Sequence, residues 1–436
     1  MRFYSTKNKT RLYSLSEAVL KGLPDDNGLF MPEFIPQLPE SFWKNIGAFS
    51  IGEIANEVAS LFLEGDIPKN KIEELTLDAM NFPVPLVGLD ERTSVLELFH
   101  GPTLAFKDVG ARFMARVMSW LNRNENSKLT ILVATSGDTG SAVADGFYRV
   151  PGIEVIILYP SGKVSPLQEK QLTTLGENIT ALEILGSFDD CQRLVKTAFL
   201  DSSLKGKYRL SSANSISIAR LIPQSFYYID AWKQMQQSQK YPVVFSVPSG
   251  NFGNLTAGLF AKRMGLPVEM FIAANNANHP VEEYLKTGVF KPEPTITTIS
   301  NAMDVGVPSN FIRMLDLYEE NVNLMRKDIQ AFSFSDDETR KAMQEVYSSK
   351  KYILDPHGAV AYLGWKSWQN KASAGAHGIV LETAHPAKFI DVVEETLKMT
   401  LTLPSKLSSI ADKTKKSIVL KAEYMDFLSF LLDAKN

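Results

Sequence analysis

The chain has 436 residues, 44% of them hydrophobic, so it is long enough for two or three domains with a sizeable core. Lys and Arg number 46 against 49 Asp and Glu, which excludes the basic excess typical of nucleic-acid-binding proteins. No apolar run approaches the roughly 20 residues that span a bilayer, and the polar start predicts no secretory signal. The single cysteine, Cys191, and the five scattered histidines predict neither a disulfide nor a metal site. We therefore expect a cytoplasmic protein that binds neither nucleic acid nor membrane.

The first 92 residues combine short helical patterns with proline-rich segments, and we interpret them as a mostly helical N-terminal lobe. Beyond Val95, short apolar runs alternate with amphipathic stretches. The runs are apolar throughout, as expected of strands that are buried on both faces of a parallel sheet. This alternation predicts an α/β fold with mainly parallel sheets. The predicted strands are 129–135, 154–160, 181–185, 243–247, 268–274 and 378–383.

The tail from Pro404 is rich in lysine, with Lys413, Lys415 and Lys416 close together. A charge run of this kind is typical of a solvated helix face, and we predict a helix there. No internal repeat and no long low-complexity linker interrupts the chain.

A glycine-rich loop, PSGNFGN, follows the predicted strand 243–247 and leads into a helix pattern. In parallel α/β sheets, ligands bind beyond the carboxyl ends of the strands. Gly250 and Gly253 would let the backbone approach a ligand, and free N–H groups at a helix start favour an anion such as phosphate. The alternative is a tight strand–helix turn with no ligand. The spacings of the Walker A and dinucleotide-binding motifs are both absent.

A second loop, TSGDTGSA, follows the predicted strand 129–135. Thr135, Ser136 and Thr139 place hydroxyl groups at a helix start, where they suit a carboxylate or a phosphate. Asp138 would repel such an anion, so it should face a hydrogen-bond donor or cap the helix.

Lys107 lies at the start of an amphipathic helix, within the apolar segment ELFHGPTLAFKDVG. The helix dipole favours acidic residues at this end, so a lysine there is poorly placed for helix stability. Apolar neighbours would desolvate the ammonium and lower its pKa, as a Schiff-base lysine requires. The alternative is a surface lysine whose stem alone is buried.

Together, FHGPTLAFKDVG, TSGDTGSA and PSGNFGN resemble the signatures of threonine synthase, a family of pyridoxal-phosphate (PLP) lyases with the tryptophan-synthase-β fold. The likeness is to the fungal and enterobacterial-type branch and runs in order to about residue 390. Five more segments carry it: GLFMP (28–32), NSISIARLIPQSFYY (214–228), PSNF (308–311), DPHGAVAY (355–362) and ETAHPAKF (382–389).

The resemblance implies PLP fold type II, with two open, twisted, mainly parallel sheets and flanking helices beside the N-terminal lobe. We expect a small domain inserted into a larger one, with PLP between Lys107 and the loop at Gly250. The expected limits are 1–92 for the N-terminal helical lobe, 129–213 for the small inserted domain, and 93–128 with 214–436 for the large PLP-binding domain.

The resemblance also implies roles for individual residues. Lys107 matches the catalytic lysine that binds PLP as a Schiff base and shuttles protons. Asp138 matches a position near the ring hydroxyl of the cofactor, and Thr383 matches the residue whose hydroxyl bonds the pyridine nitrogen. The residues expected to bind the cofactor are Lys107, Asp138, Ser249, Gly250, Asn251, Phe252, Gly253, Asn254 and Thr383.

The substrate residues implied by the resemblance are Thr135, Ser136, Thr139, Asn214, Ser215 and Arg220. The fork of the Arg220 guanidinium suits a phosphate dianion. The alternative for residues 214–220 is a turn before a helix with a surface arginine. We interpret His357 and His385 as structural, because an isolated buried histidine usually satisfies packing and hydrogen bonds.

The activity implied is conversion of O-phospho-L-homoserine and water to L-threonine and phosphate, by γ-elimination and addition of water at the β-carbon. This would be a PLP-dependent carbon–oxygen lyase that acts as a monomer or a homodimer. One alternative is a hydroxy-amino-acid dehydratase of the same fold, whose substrate has no phosphate for Arg220 to hold. The other is a silent relative that binds a phosphorylated ligand, which would not need Lys107.

Overall fold

The computed structural model describes residues 1–236, 241–371 and 375–433. The strands are β1 Phe3–Ser5, β2 Asn8–Tyr13, β3 Phe30–Pro32, β4 Leu86–Asp90, β5 Thr93–Glu97, β6 Leu129–Ala134, β7 Ile153–Pro160, β8 Ile179–Leu185, β9 Arg209–Ser211, β10 Val243–Pro248, β11 Met270–Asn275, β12 Ile329–Ser333, β13 His377–Glu382 and β14 Ile418–Lys421.

The α-helices found in the described residues flank these strands. They are α1 Leu15–Lys21, α2 Glu40–Asn45, α3 Ile51–Leu63, α4 Lys69–Ala79, α5 Lys107–Asn122, α6 Asp138–Phe147, α7 Pro166–Thr173, α8 Phe188–Leu200, α9 Ile218–Leu221, α10 Ser225–Met235, α11 Gly253–Arg263, α12 Pro280–Thr287, α13 Phe311–Leu317, α14 Val322–Asp328, α15 Asp336–Lys350, α16 Pro356–Lys371, α17 Ile390–Leu397, α18 Ser405–Ala411 and α19 Tyr424–Asp433.

The large sheet has the strand order β12-β11-β10-β13-β5-β4. Its neighbours are parallel except for β4 and β5, which are antiparallel. Both faces are covered, so alternate residues of one strand enter different cores. Val244 packs in the cluster that contains Trp365 of α16, whereas the ring of Phe245 lies 5.0 Å from that of Tyr228 in α10.

The small sheet has the order β14-β8-β7-β6-β9, with all neighbours parallel. Its edge strand β14 comes from the C-terminal tail rather than from residues 129–213. The prediction of a helix at Lys413, Lys415 and Lys416 is wrong, because these residues lie in the connection between α18 and β14. Lys415 contacts Glu169 at 2.6 Å and Glu183 at 2.5 Å, and these ion pairs fix the connection against the small sheet.

The N-terminal lobe, predicted to be mostly helical, contains α1 to α4 and also a three-stranded antiparallel sheet with the order β2-β1-β3. Ser14 and Glu17 form a capping box that begins α1, and Ser50 and Glu53 form another that begins α3. The buried side chains of β1 and β3 join the main core, so this lobe is packed onto the rest of the molecule.

The predicted strands are confirmed within two residues at each end as β6, β7, β8, β10, β11 and β13. The mixed α/β architecture with mainly parallel sheets is confirmed as well. The loops after β6, β10 and β13 therefore lie at the carboxyl ends of parallel strands, where the sequence places its candidate site residues. The domain limits stay a prediction. No helix of the described ranges combines the length and the apolar character needed to cross a membrane.

Candidate active site

Lys107 is the first residue of α5, and 17% of its side chain is exposed. Its Nζ lies 3.7 Å from Oδ2 of Asp138, the first residue of α6. Burial lowers the pKa of Lys107; the negative charge of Asp138 opposes this shift, and the positive charges of Arg220 and Lys388 add to it. The structure thus supports a desolvated amine rather than the alternative of a surface lysine.

Asp138 makes no capping hydrogen bond, and Gly137 stands at the N-cap position. Instead, its Oδ1 accepts hydrogen bonds from Gln168 Nε2 and Lys388 Nζ, each at 2.8 Å. Burial opposes ionisation of this carboxyl group, but the charges of Lys388 and Lys107 outweigh it and hold its pKa well below the usual range. Asp138 is therefore a buried carboxylate that faces donors, which was the first of the two alternatives.

The loop after β10 runs from Ser249 to Asn254 and ends in the first turn of α11. Ser249 is fixed by hydrogen bonds to β10 and β11, and Asn254 Nδ2 donates to Pro248 O at 2.8 Å. Phe252 has a left-handed backbone with φ of +60° and provides no capping side chain. The amide groups of Gly253 and Asn254 therefore keep donors for an anion.

Two predicted phosphate-binding segments meet at one hydrogen bond. Asn251 Nδ2 donates to Ser215 Oγ at 2.6 Å. Ser309 N donates to Asn251 Oδ1 at 2.5 Å, so residues of the PSNF segment support the same loop. Asn214 begins the turn that carries Ser215 and leads to α9, and its carbonyl accepts from Ser217 N at 3.1 Å.

Arg220 is only 2% exposed, which excludes the alternative of a surface arginine. Its Nη1 donates to Ala213 O at 2.7 Å, whereas its Nε has no hydrogen-bond partner among the described residues. Burial lowers its pKa to about 10, and the negative charge of Asp108 opposes that shift. A buried guanidinium with an unused donor fits an anionic ligand.

The hydroxyl-rich loop after β6 divides into two kinds of residue. Thr135 is buried, and its Oγ1 accepts from Gly137 N at 3.0 Å and from Gly140 N at 2.8 Å. It thus shapes the loop. Ser136 is exposed and Thr139 is partly exposed, so both hydroxyls are accessible to a ligand. The assignment of all three to the substrate stays a prediction.

Thr383 follows β13 directly and is buried. Its carbonyl accepts from Phe106 N at 2.8 Å, which places the end of β13 beside the residue that precedes Lys107. The histidine contacts agree with structural roles. His357 Nδ1 lies 2.6 Å from Asp355 Oδ1, and His385 Nδ1 accepts from Ala387 N at 3.1 Å.

Lys388 is the charged residue of the site that the sequence did not predict. It is buried beside Asp138, in the short helical turn that follows β13. The signal available was a lysine in HPAKF, among apolar residues just after a predicted central strand. Gln168 and Gln171 of α7 were missed too. Among residues 1–236, 241–371 and 375–433, no cluster of three or more His, Cys, Asp or Glu could hold a metal ion.

Comparison with known families matches three parts of the chain. The family described as pyridoxal-phosphate dependent enzyme matches residues 85–381, which contain Lys107, Asp138 and the loop at Gly250. The families described as threonine synthase N terminus and threonine synthase, C-terminal match residues 2–80 and 359–428.

Individual relatives agree with these matches. Threonine synthase from Haemophilus influenzae is 46% identical over 410 residues, which cover 93% of this chain and 94% of the relative. The solved threonine synthase from Escherichia coli superposes with a TM-score of 0.90 at 42% identity, and 100% of both chains is covered. The PLP-bound threonine synthase from Brucella melitensis gives a TM-score of 0.94 at 35% identity, again with 100% of both chains covered.

Proposed function

Because the chain belongs to the threonine synthase family of PLP-dependent enzymes, we propose that it converts O-phospho-L-homoserine and water to L-threonine and phosphate. The reaction is a γ-elimination of phosphate followed by addition of water at the β-carbon. It makes the protein a carbon–oxygen lyase of threonine biosynthesis. A cytoplasmic location and a monomeric or homodimeric state stay predictions.

The residues of the site fit PLP. The amide groups of Gly253 and Asn254 at the start of α11 would hold its phosphate, Lys107 would bind its aldehyde carbon, and Asp138 and Thr383 would flank its ring. When it is bound, the cofactor supplies an electron sink that stabilises negative charge on the substrate carbons. The fit is supported by the free donors of the loop after β10 and by the desolvated amine of Lys107.

Lys107 carries the proton transfers in this proposal. An amine with a lowered pKa can accept a proton from the α-carbon of the substrate and return a proton at the end of the reaction. Its backbone is fixed at the first turn of α5, and its flexible side chain can carry the amine between the atoms that exchange protons. Asp138 at 3.7 Å orients the ammonium form between transfers.

Arg220 binds the substrate phosphate in this proposal. Charge develops on the leaving phosphate as the bond from the γ-carbon breaks, and a buried guanidinium attracts that charge more strongly than a solvated one. Ser215 connects this site to the loop after β10 through Asn251, so the two phosphates are held by adjoining segments.

The observation that carries the proposal is the unused, buried Nε of Arg220 in the same site as Lys107. A hydroxy-amino-acid dehydratase acts on L-serine or L-threonine, which offer no phosphate to a buried guanidinium. The dehydratase alternative would leave this desolvated cation without a ligand.

A substrate panel tests the proposal. The purified full chain with PLP should form L-threonine and phosphate in equal amounts from O-phospho-L-homoserine. It should form little or no 2-oxo acid from L-serine or L-threonine. The variant Lys107→Ala should lose the activity by about a thousandfold or more, while Lys163→Ala, at an exposed lysine, should keep it. A 2-oxo acid as the main product would instead establish the dehydratase.

A further inference from the structure

Lys388 is a second buried lysine of the site, and it is 3% exposed. Its Nζ lies 2.8 Å from Asp138 Oδ1, 2.9 Å from Thr103 O and 3.1 Å from Gln171 Oε1. An ammonium group has three donors, so these acceptors use all of them. Lys388 therefore has no donor left for a substrate or a cofactor, and any role in the reaction must act through its protein neighbours.

Asp138 is the neighbour through which Lys388 can affect Lys107, because it contacts both lysines. One of its oxygens, Oδ1, accepts from Lys388 and from Gln168, whereas the other, Oδ2, faces Lys107 at the longer distance of 3.7 Å. The short contacts are thus made by a different carboxylate oxygen from the one that faces Lys107. Gln168 and Gln171 belong to α7, so the same contacts connect that helix to the turn after β13.

We propose that Lys388 is a positioning residue for the reaction: it pairs with Asp138 so that this carboxylate orients Lys107 without becoming its main ion-pair partner. The proposal deepens the proposed function, on which it rests for the catalytic role of Lys107. The proposal concerns the amine of Lys107 in the protein without bound cofactor.

The charges around Lys107 explain why the pairing of Lys388 with Asp138 affects the protonation of Lys107. The charged groups that act on Lys107 and Asp138 are Arg220 on α9 and Lys388 after β13. Asp108 on α5 and His385 after β13 interact with Lys388 in turn. Asp138 is the carboxylate in ion-pairing contact with both lysines. If Lys388 were neutral, Asp138 would pair with Lys107 alone and favour its protonated form. Burial and the remaining cation, Arg220, would still lower the pKa of Lys107, but the contribution of Lys388 to that lowering would be lost.

The test measures the reactivity of Lys107 directly. The full-length apoprotein is treated with acetic anhydride over a range of pH, and acylation of Lys107 is quantified by mass spectrometry. Lys388→Met should slow acylation about tenfold at a fixed pH below the midpoint of the profile, because less of the amine is neutral. Lys388→Arg retains the cation and should stay within about twofold of the parent. The double variant Lys388→Met with Asp138→Asn should recover most of the parental rate.

Two results would overturn the proposal. Parental acylation in Lys388→Met would show that the cation does not act on Lys107. Equal slowing in both Lys388 variants, with no recovery in the double variant, would show a merely structural link between α7 and the turn after β13. If Lys388→Met does not fold, Asp138→Asn tests the carboxylate through which Lys388 is proposed to act: the proposal requires faster acylation than in the parent, and slower or equal acylation contradicts it. Because no substrate is used, this outcome is independent of which amino acid the enzyme converts.

Discussion

Asn251 Nδ2 donates a 2.6 Å hydrogen bond to Ser215 Oγ, and this contact joins the loop after β10 to the segment after β9. One strand belongs to the large sheet and the other to the small sheet. The contact therefore crosses the boundary between the two parallel sheets. It lies where the proposed function places the phosphates of the cofactor and of the substrate side by side.

Ser215→Ala should lower kcat/KM for O-phospho-L-homoserine about tenfold, because the substitution leaves the amide of Asn251 without its acceptor in a half-buried site. Steady-state kinetics with both products measured checks this. Ser217→Ala is the matched control, since the buried hydroxyl of Ser217 has no hydrogen-bond partner among the described residues. An equal loss in both variants would contradict a specific role for the Asn251–Ser215 contact.

Arg220→Met should lower kcat/KM for O-phospho-L-homoserine by a hundredfold or more, because hydrogen bonds to charged groups are stronger than neutral ones and the leaving phosphate gains charge. The amount of PLP that the variant retains, measured by the absorbance of the bound cofactor, should change little. Parental kcat/KM would remove Arg220 from the phosphate site, and loss of PLP would place it at the cofactor instead.

Gly358→Ala should destabilise the protein by at least about 1–3 kcal/mol, the usual range for overpacked cores. A Cβ at this position would lie 1.4 Å from Oε2 of Glu382, a buried carboxyl group that also accepts from Asp355 N at 2.6 Å. Because Glu382 precedes Thr383, PLP should bind more weakly as well. Chemical denaturation measures the change in the free energy of unfolding. Gly47→Ala is the control, since nothing lies within 4 Å of its added Cβ, and similar losses in both variants would contradict the account.

Asp108→Asn should remove a pH dependence of stability. Burial raises the pKa of Asp108 to about 6, although its oxygens accept from Thr103 N and Thr103 Oγ1. When the pKa of a carboxyl group is higher in the folded state than in the unfolded state, the protonated group contributes to stability at pH values below the unfolded-state pKa. For Asp108 this contribution to the free energy of unfolding is lost as the pH rises through about 6.

The variant should therefore gain up to roughly 3 kcal/mol over the parent above pH ~7, and the difference should vanish near pH ~4. Denaturant titrations at both pH values measure it, with Asp412→Asn at an exposed position as the control. A difference that grows as pH falls would contradict the stated direction.

The sequence was sufficient to predict those parts of the site that lie within one continuous segment. Lys107 and the loop at Gly250 stand out because a buried strand, a loop and a helix start leave local signals. Lys388 has only a weak local signal, a lysine among apolar residues after a predicted strand, and this signal does not reveal its role, because that role depends on Asp138, which is far away in the chain. Strand β14 was not predicted for a related reason. It is short and mostly exposed, and it is defined by its pairing with β8 rather than by a hydrophobic pattern in its own sequence.

The proposed reaction breaks a carbon–oxygen bond and adds water at carbon, so the fate of the solvent oxygen distinguishes it from hydrolysis of the phosphate ester. The enzyme is supplied with O-phospho-L-homoserine in water enriched in oxygen-18, and both products are analysed by mass spectrometry. γ-Elimination leaves every phosphate oxygen as it was in the substrate, so L-threonine should carry one labelled oxygen and the phosphate should carry none. Labelled phosphate together with homoserine would show cleavage between phosphorus and oxygen, and would rule out the proposed elimination.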